Sequence, residues 1–348
     1  MVPENIDEIA ATPLNFVIGK ERSGTTLLQV MLNAHPNIVA PPESRFIIRL
    51  YIKYGSVKEW TEKRIKSFCD NLFVEPIFRD YWGIDKDRLY ASLVSVKDKL
   101  TYPLLCKLIF YHYSASKDAR IFIDKNPLYY NFIPELCEIF PSAKFVHIVR
   151  DYRANILSHG HVANLNLDTA DMAYRWMKVH MIIEEQKCRL PEQWLTIKYE
   201  ALVTNPEEVI RSVCDFLGIP FDKRMIEEHN KKLFPSFYNR KDEQFEKFHK
   251  RMFEPISTAF VDEWKEKMSK HDQAIAELIT GKYAEETYGY KMYAGTDNAK
   301  ISWFKLLRVK VKYGLTEKYF HLLKHRWIYF FHLYFVVQVL KIFSKNKP

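Results

Sequence analysis

The sequence predicts an α/β fold, a parallel β-sheet flanked by helices, and three observations predict it. Short apolar runs alternate with longer stretches of helical period. The first of those runs, residues 14–18, is bounded by Pro13 and Gly19, as a short buried strand is. It leads directly into a glycine- and hydroxyl-rich turn, Gly19-Lys20-Glu21-Arg22-Ser23-Gly24-Thr25-Thr26, which opens a helix.

Taken in order, strands are expected at 14–18, 121–124, 144–149 and 194–198, each a compact apolar run. Helices are expected at 25–34, 88–99, 128–140, 169–188 and 206–217. Residues 46–116 carry mostly helical patterning and read as a helical insertion capping the sheet. Residues 222–253 are charged and irregular, the composition of a long loop or lid, and 259–288 returns to helical period. No internal repeat or low-complexity linker divides the chain, so residues 1–297 read as one domain and 298–348 as a C-terminal helical tail.

Composition narrows the functional classes. With 348 residues, 47% apolar and 27% charged, the chain has ordinary globular usage. That excludes disordered, collagen-like and disulfide-scaffold classes. The net charge of +9 first suggests nucleic acid. However, eleven of the 52 Lys and Arg and only one of the 43 acids, Glu317, fall within residues 300–348. The tail is therefore strongly basic and the body nearly neutral, and no nucleic-acid partner is expected. The five cysteines show no C-x-x-C spacing and sit in apolar stretches, so each reads as a reduced, buried thiol and no metal site is expected. Residues 1–13 lack the basic and apolar regions of a signal peptide, which makes a cytoplasmic location the default.

The turn at 19–26 has a physical reading of its own. Its two glycines, Gly19 and Gly24, allow a tight loop whose backbone N–H groups face one concavity, and the helix start adds positive partial charge. An anion is expected there, in a sheet of P-loop type. The Lys that phosphate-binding G-x-x-x-x-G-K-[ST] loops place before the last hydroxyl residue is replaced by Thr25. Arg22, with Lys20 as a second candidate, supplies the cation instead. A second pattern, Val149-Arg150-Asp151-Tyr152-Arg153, ends an apolar run, and Ser158 follows eight residues after Arg150. Asp151 can cap the next helix, and Arg150 then lies at the carboxyl edge of the sheet, where ligands of parallel sheets bind. Arg150 and Ser158 could share a second phosphate. A plainer reading makes Arg150 or Arg153 a surface ion-pair partner of Asp151.

Together these motifs resemble the sulfotransferase family that uses 3′-phosphoadenosine-5′-phosphosulfate, and within it the branch with tyrosylprotein sulfotransferases and many bacterial enzymes. The likeness rests on Arg22-Ser23-Gly24-Thr25-Thr26, Glu43-Ser44-Arg45, Asp124-Lys125-Asn126-Pro127, the 149–153 strand end, Tyr199-Glu200-Ala201-Leu202 and Asp215-Phe216-Leu217-Gly218. It runs from about residue 14 to 218, with a weaker trace to about 290. The resemblance implies that Arg22, Ser23, Gly24, Thr25 and Thr26 hold the donor's 5′-phosphosulfate. It implies that Arg150 and Ser158 hold its 3′-phosphate, and that Tyr199 packs near adenine. Glu43 would be the general base, with Lys125 and Arg22 at the transferring sulfuryl group. Arg45 would meet the acceptor.

A sulfuryl group carries one negative charge fewer than a phosphoryl group, which suits a loop without the usual Lys and makes a bound magnesium ion unnecessary. Glu43 has a plainer reading as an acid in the first turn of a helix after Pro41-Pro42, and Lys125 a structural one. His35, His159 and His161 are alternative bases, although His35 precedes Pro36 and reads as the end of a helix. The family often closes over the donor with a late Lys-Pro pair. Here Glu254-Pro255 stands in that place, with Lys250 or Arg251 as compensation.

The tail carries twelve aromatics, and residues 327–340 form fourteen positions without a formal charge, flanked by Lys and Arg. As a helix that stretch would measure roughly 21 Å at about 1.5 Å per residue, short of a membrane span. It suits a helix lying in the headgroups of an anionic membrane, against a plainer reading as a helix packed on the body. The expected acceptor is a small-molecule or lipid hydroxyl, ahead of protein tyrosine or glycan. The expected site of action is the cytoplasm, peripheral on the inner membrane face. A P-loop kinase acting on a small molecule and a non-catalytic membrane-binding protein are the alternatives.

Overall fold

The computed structural model describes residues 6–114, 118–163, 168–229 and 255–293, with the side chains of 161–163 left aside. The tail at 298–348, most of the expected lid at 222–253, Lys250, Arg251 and Glu254 lie outside the described residues, as does the His161 side chain.

Five strands form one all-parallel sheet. They are β1 (Leu14–Ile18), β2 (Ile38–Val39), β3 (Ile121–Lys125), β4 (Phe145–Val149) and β5 (Trp194–Lys198), in the spatial order β2-β3-β1-β4-β5. The four expected strands are present within a residue or so of their expected bounds. β2 is an edge strand of two residues, too short to register as a run.

Both faces of the sheet are covered, which explains why β1, β3 and β4 are buried at every position. On one face Phe16 stacks on Phe145 and Phe145 on Trp194, with ring centroids 5.4 and 4.5 Å apart. The expected insertion packs there as α3 (Phe46–Tyr54), α4 (Glu62–Leu72), α5 (Pro76–Tyr81), α6 (Lys86–Ser95) and α7 (Tyr102–Tyr113). Its seam is aromatic: Phe46, Phe78, Trp82 and Phe110 interlock with edge-to-face or tilted rings. Much of the high aromatic content thus sits in this seam as well as in the tail. The other face, through Val17, Val146 and Ile197, is covered by α2 (Thr25–Ala34), α11 (Tyr199–Thr204) and α12 (Pro206–Leu217).

Local chemistry sets the ends of the helices. Asp85 caps α6 by accepting from the Arg88 N–H, which starts that helix at Lys86, two residues before expected; it ends at Ser95, and 97–99 form a separate 3₁₀ turn. The stretch expected as one helix at 128–140 is a 3₁₀ turn, Pro127–Phe132, followed by α8 (Ile133–Ile139). Pro134 is tolerated only in a first turn, so a new helix starts there. α9 (Tyr152–Ala163) follows β4, and α10 (Thr169–Lys187) is capped by Asp168. His35 is the C-terminal cap of α2. The expected 259–288 helix is broken into Glu263–Lys267, Lys270–Ala276, a π-turn at Glu277–Gly281 and Lys282–Tyr288. One reading of the cysteines is corrected: Cys69, Cys106 and Cys214 are buried thiols, but Cys137 is half-buried and Cys188 exposed. Cys188 caps the end of α10, beyond that helix's last buried residue, Ile183.

Candidate active site

The parallel register brings the separate motifs to one edge of the sheet. Val17 pairs with Lys125 on one side of β1, and Ile18 with His147 on the other. The turn that follows β1 is therefore bordered by the carboxyl ends of β3 and β4, where Lys125 and Arg150 stand.

The turn itself is a cradle at the start of α2. No side chain caps that helix, so its first N–H groups are available to an anion. Ser23 and Thr25 are buried around it and Thr26 is half-buried. Gly24 adopts φ +90°, and a Cβ there would lie 2.5 Å from Cδ2 of Tyr199. Arg22 is the one non-glycine residue with positive φ, 68°, among the described residues. Such a conformation costs about 1–2 kcal/mol and is held by the contacts around it. Asn155 of α9 donates to the Glu21 carbonyl (2.8 Å) and to Ser23 Oγ (3.1 Å).

The two phosphate-site patterns touch each other directly. Arg22 Nε donates to Ser158 Oγ (3.3 Å), and Arg150 Nη1 donates to the Arg22 carbonyl (3.1 Å). Arg150 also donates to the Phe260 carbonyl (2.8 Å) and lies over the Tyr199 ring, 4.4 Å from its centroid. Tyr199 is thus a buried wall between the turn and Arg150. The surface ion-pair reading is corrected. Arg153 is 1% exposed and pairs with both Asp151 and Glu277, and its guanidinium lies 3.8 Å from the Trp264 ring. Arg153 ties the end of β4 to the C-terminal helices, and Arg150 stays with the turn. Asp151 does cap α9, accepting from the Arg153 N–H (2.8 Å).

Lys20, read as a second cation for the loop, is a fully buried ammonium beside His159 Nε2 (3.4 Å) in a partly exposed charge cluster. Its ammonium pairs with Glu21, which also meets His159 (3.7 Å) and Arg175 (3.4 Å). Burial lowers the Lys20 ammonium to about 8 despite the Glu21 charge. Burial opposes ionisation of Glu21, but the His159 hydrogen bond and the Lys20 ammonium outweigh it and hold its carboxyl well below the usual range. This cluster pins the turn to α9 and α10. His159 is part of it, and His35 is engaged with the Pro220 carbonyl (3.0 Å) far along the chain.

On the other side of the turn, Lys125 Nζ donates to Glu43 Oε2 at 2.9 Å. The Lys125 side chain is 5% exposed and that of Glu43 33%, so the pair is seated in protein with one edge open to solvent. Glu43 is not in a helical turn: α3 begins at Phe46, three residues later, which corrects the helix-start reading. Instead the loop is held from several sides. Gln29 of α2 donates to the Pro41 carbonyl, and Asn33 accepts from the Ala40 N–H (3.2 Å). Asn126 Nδ2 and Tyr129 Oη donate to the Ser44 carbonyl (3.2 and 3.3 Å). Arg45 caps α3 and is half-buried, two residues from Glu43. Beside Lys125, Asp124 is fully buried, and burial reinforced by the Glu43 charge raises its carboxyl well above the usual range.

A family model described as the sulfotransferase family matches residues 13–223, about three-fifths of the chain. The chain belongs to the sulfotransferase family. As such it is an enzyme of the class that takes its sulfuryl group from 3′-phosphoadenosine-5′-phosphosulfate. It is 26% identical over 293 residues to protein-tyrosine sulfotransferase 1 of Danio rerio, covering 82% of this chain and 74% of that protein. It is 29% identical over 220 residues to the protein-tyrosine sulfotransferase of Drosophila melanogaster, covering 62% of this chain but only 40% of that protein. Its fold is similar to the sulfotransferase domain of the Synechococcus PCC 7002 olefin synthase, with TM-score 0.52 and 23% identity over 78% of this chain and 94% of that one.

The groups present in this sulfotransferase fit such a donor. An uncapped helix start with buried hydroxyls suits one anionic group, and Arg150 with Ser158 on the far side of Arg22 suits a second. Sequence reasoning quoted Glu21 and Asp124 in motifs without a role and missed Asn155. Asn155 lies four residues after Asp151 and three before Ser158, a helical spacing that puts all three on one face and could have revealed it.

Proposed function

We propose that this sulfotransferase transfers the sulfuryl group to a hydroxyl acceptor through a site in which Glu43 is the general base. The observation that carries the reading is the Glu43–Lys125 pair, 2.9 Å apart, beside the phosphate-binding turn. The donor, when bound, supplies a sulfuryl group on a phosphate leaving group.

The protein's own groups then act as follows. Glu43 accepts the proton of the acceptor hydroxyl at a carboxylate oxygen. Lys125 Nζ neutralises charge that develops beside it, and the N–H groups at the start of α2 with Arg22, Ser23, Gly24, Thr25 and Thr26 hold the 5′ end in line. Arg150 and Ser158 hold the 3′-phosphate, and Tyr199 supports Arg150 from below and lines the adenosine. Arg45, two residues from Glu43, is assigned to the acceptor.

The preferred acceptor is an apolar hydroxyl compound delivered at a membrane, because the basic, aromatic sequence of the tail suits an anionic bilayer surface. A tyrosine side chain in a protein is the second reading, favoured by the names of the curated relatives. The test offers radiolabelled donor to a panel of a tyrosine peptide, 2-naphthol, cholesterol and a glycan, with wild type and Glu43→Gln. Transfer to cholesterol or 2-naphthol, absent in Glu43→Gln, supports the first reading. Transfer to the peptide alone supports the second. Full activity in Glu43→Gln overturns the assignment of the base.

A further inference from the structure

We infer that Glu75, at the start of α5 in the helical insertion, is a positioning residue for the Glu43–Lys125 pair. The inference rests on Glu43 being the base. Glu75 is far from the family motifs in sequence, yet its carboxylate reaches the loop that carries Glu43. Its Oε2 accepts from Ser44 Oγ (3.1 Å) and its Oε1 from the Arg45 N–H (3.0 Å). Arg49 Nε lies 3.5 Å from Oε2 and anchors the carboxylate, while the Arg49 guanidinium also donates to the Asn71 and Leu72 carbonyls at the end of α4.

Ser44 is therefore clamped between two elements. Its carbonyl is held by Asn126 and Tyr129 at the end of β3, and its hydroxyl by Glu75. Glu43 precedes Ser44 directly, and its partner Lys125 precedes Asn126 directly. The clamp thus fixes the neighbour of each member of the pair, and Glu75 is the part contributed by the inserted helices. Releasing the Glu75 side leaves the Ser44 end of the loop tethered through the Ser44 carbonyl, with Gln29 and Asn33 holding only Pro41 and Ala40 further back, and frees the Glu43 carboxylate to swing away from Lys125. The donor-side groups, Arg22, Arg150 and Ser158, are bound to one another and to Phe260, so nucleotide binding is independent of the clamp.

The test compares Glu75→Ala, Glu75→Gln and Ser44→Ala with wild type. It reads kcat with the panel acceptor that wild type sulfates fastest, affinity for adenosine 3′,5′-bisphosphate, and the Glu43 Oε2 to Lys125 Nζ separation in crystals grown with that nucleotide. Glutamine retains an oxygen for the Arg45 N–H and an amide for Ser44 Oγ but loses the charge facing Arg49. The expected result is a kcat loss of roughly 10- to 100-fold in Glu75→Ala, a smaller loss in Glu75→Gln and Ser44→Ala, and unchanged nucleotide affinity. In the Glu75→Ala crystal the pair separates beyond hydrogen-bonding distance. An intact pair in Glu75→Ala, or a glutamine variant as impaired as alanine, overturns the inference, since either assigns Glu75 to the Arg49 ion pair alone. Ser44→Ala keeps the test open should Glu75→Ala fail to fold. Glu43→Gln separates the two claims: if it stays active the base assignment has failed, whereas an inactive Glu43→Gln beside a fully active Glu75→Ala contradicts only the clamp.

Discussion

Replacing Gly24 by alanine should damage both stability and donor binding, and the structure sets the size of the effect. At φ +90° any side chain costs about 1–2 kcal/mol of backbone strain. The new Cβ would also lie 2.5 Å from Tyr199 Cδ2, where ordinary contact begins at 3.4 Å, so the ring must move by about 1 Å. Such overpacking adds about 1–3 kcal/mol. The ring cannot move alone, because Arg150 lies over it at 4.4 Å. Gly24→Ala is therefore expected to lose about 2–5 kcal/mol in urea unfolding and to bind adenosine 3′,5′-bisphosphate at least about tenfold more weakly, a loss of roughly 1.4 kcal/mol. A double-mutant cycle separates the two terms. In a Tyr199→Ala background the clash is gone, so the added cost of Gly24→Ala falls to the backbone strain, a coupling of about 1–3 kcal/mol. Strict additivity, or wild-type affinity in Gly24→Ala, would refute the argument that the turn, Tyr199 and Arg150 form one packed unit.

Four other perturbations have defined outcomes. Lys125→Gln and Glu43→Gln should each lower kcat by about 10²–10³-fold, measured by radiolabelled transfer, with nucleotide affinity unchanged in the Glu43 variant. Asp124→Asn should stabilise the protein near neutral pH. The carboxyl is raised in the folded state, so its unfavourable contribution is absent below about pH 3.9, the unfolded value, and grows as pH rises above it. Thermal unfolding across pH 4–8 should show the gain from asparagine increasing with pH, and a gain independent of pH would contradict the assignment. A chain ending at Asp297 should lose binding to phosphatidylserine vesicles in a flotation assay while retaining activity on a soluble acceptor, and equal binding by both chains would remove the membrane role of the tail.

The sheet was legible because its strands are short, apolar and bounded by turn residues, as Leu14–Ile18 is by Pro13 and Gly19. The turn after β1 was legible because two glycines and several hydroxyls bracket it between a strand and a helix. What sequence could not supply was contact between distant residues. Lys20 looked like a loop cation, and only the neighbouring His159 and Arg175 explain why Glu21 draws it inward. Arg150 and Arg153 are alike in sequence, yet Glu277 and Trp264, more than a hundred residues later, decide which of them is structural. Glu43 was legible as a candidate, but the carboxylate that secures its loop, Glu75, belongs to no local pattern. The 128–140 stretch has helical period throughout, yet Pro134 lacks an N–H and fits only a first turn, so it divides there.

The turn at 19–26, together with Arg150 and Ser158, is expected to bind a nucleotide carrying phosphates at both 5′ and 3′ positions. Isothermal titration calorimetry of the full-length protein with adenosine 3′,5′-bisphosphate, adenosine 5′-monophosphate and ATP tests it most directly. One charge-assisted hydrogen bond from Arg150 to the 3′-phosphate contributes about 1.5–3 kcal/mol, so the bisphosphate should bind at least roughly 10- to 100-fold more tightly than the monophosphate. That preference should vanish in Arg150→Ala, and ATP should bind more weakly than the bisphosphate. Absence of bisphosphate binding, or affinity for ATP equal to it, would contradict this assignment.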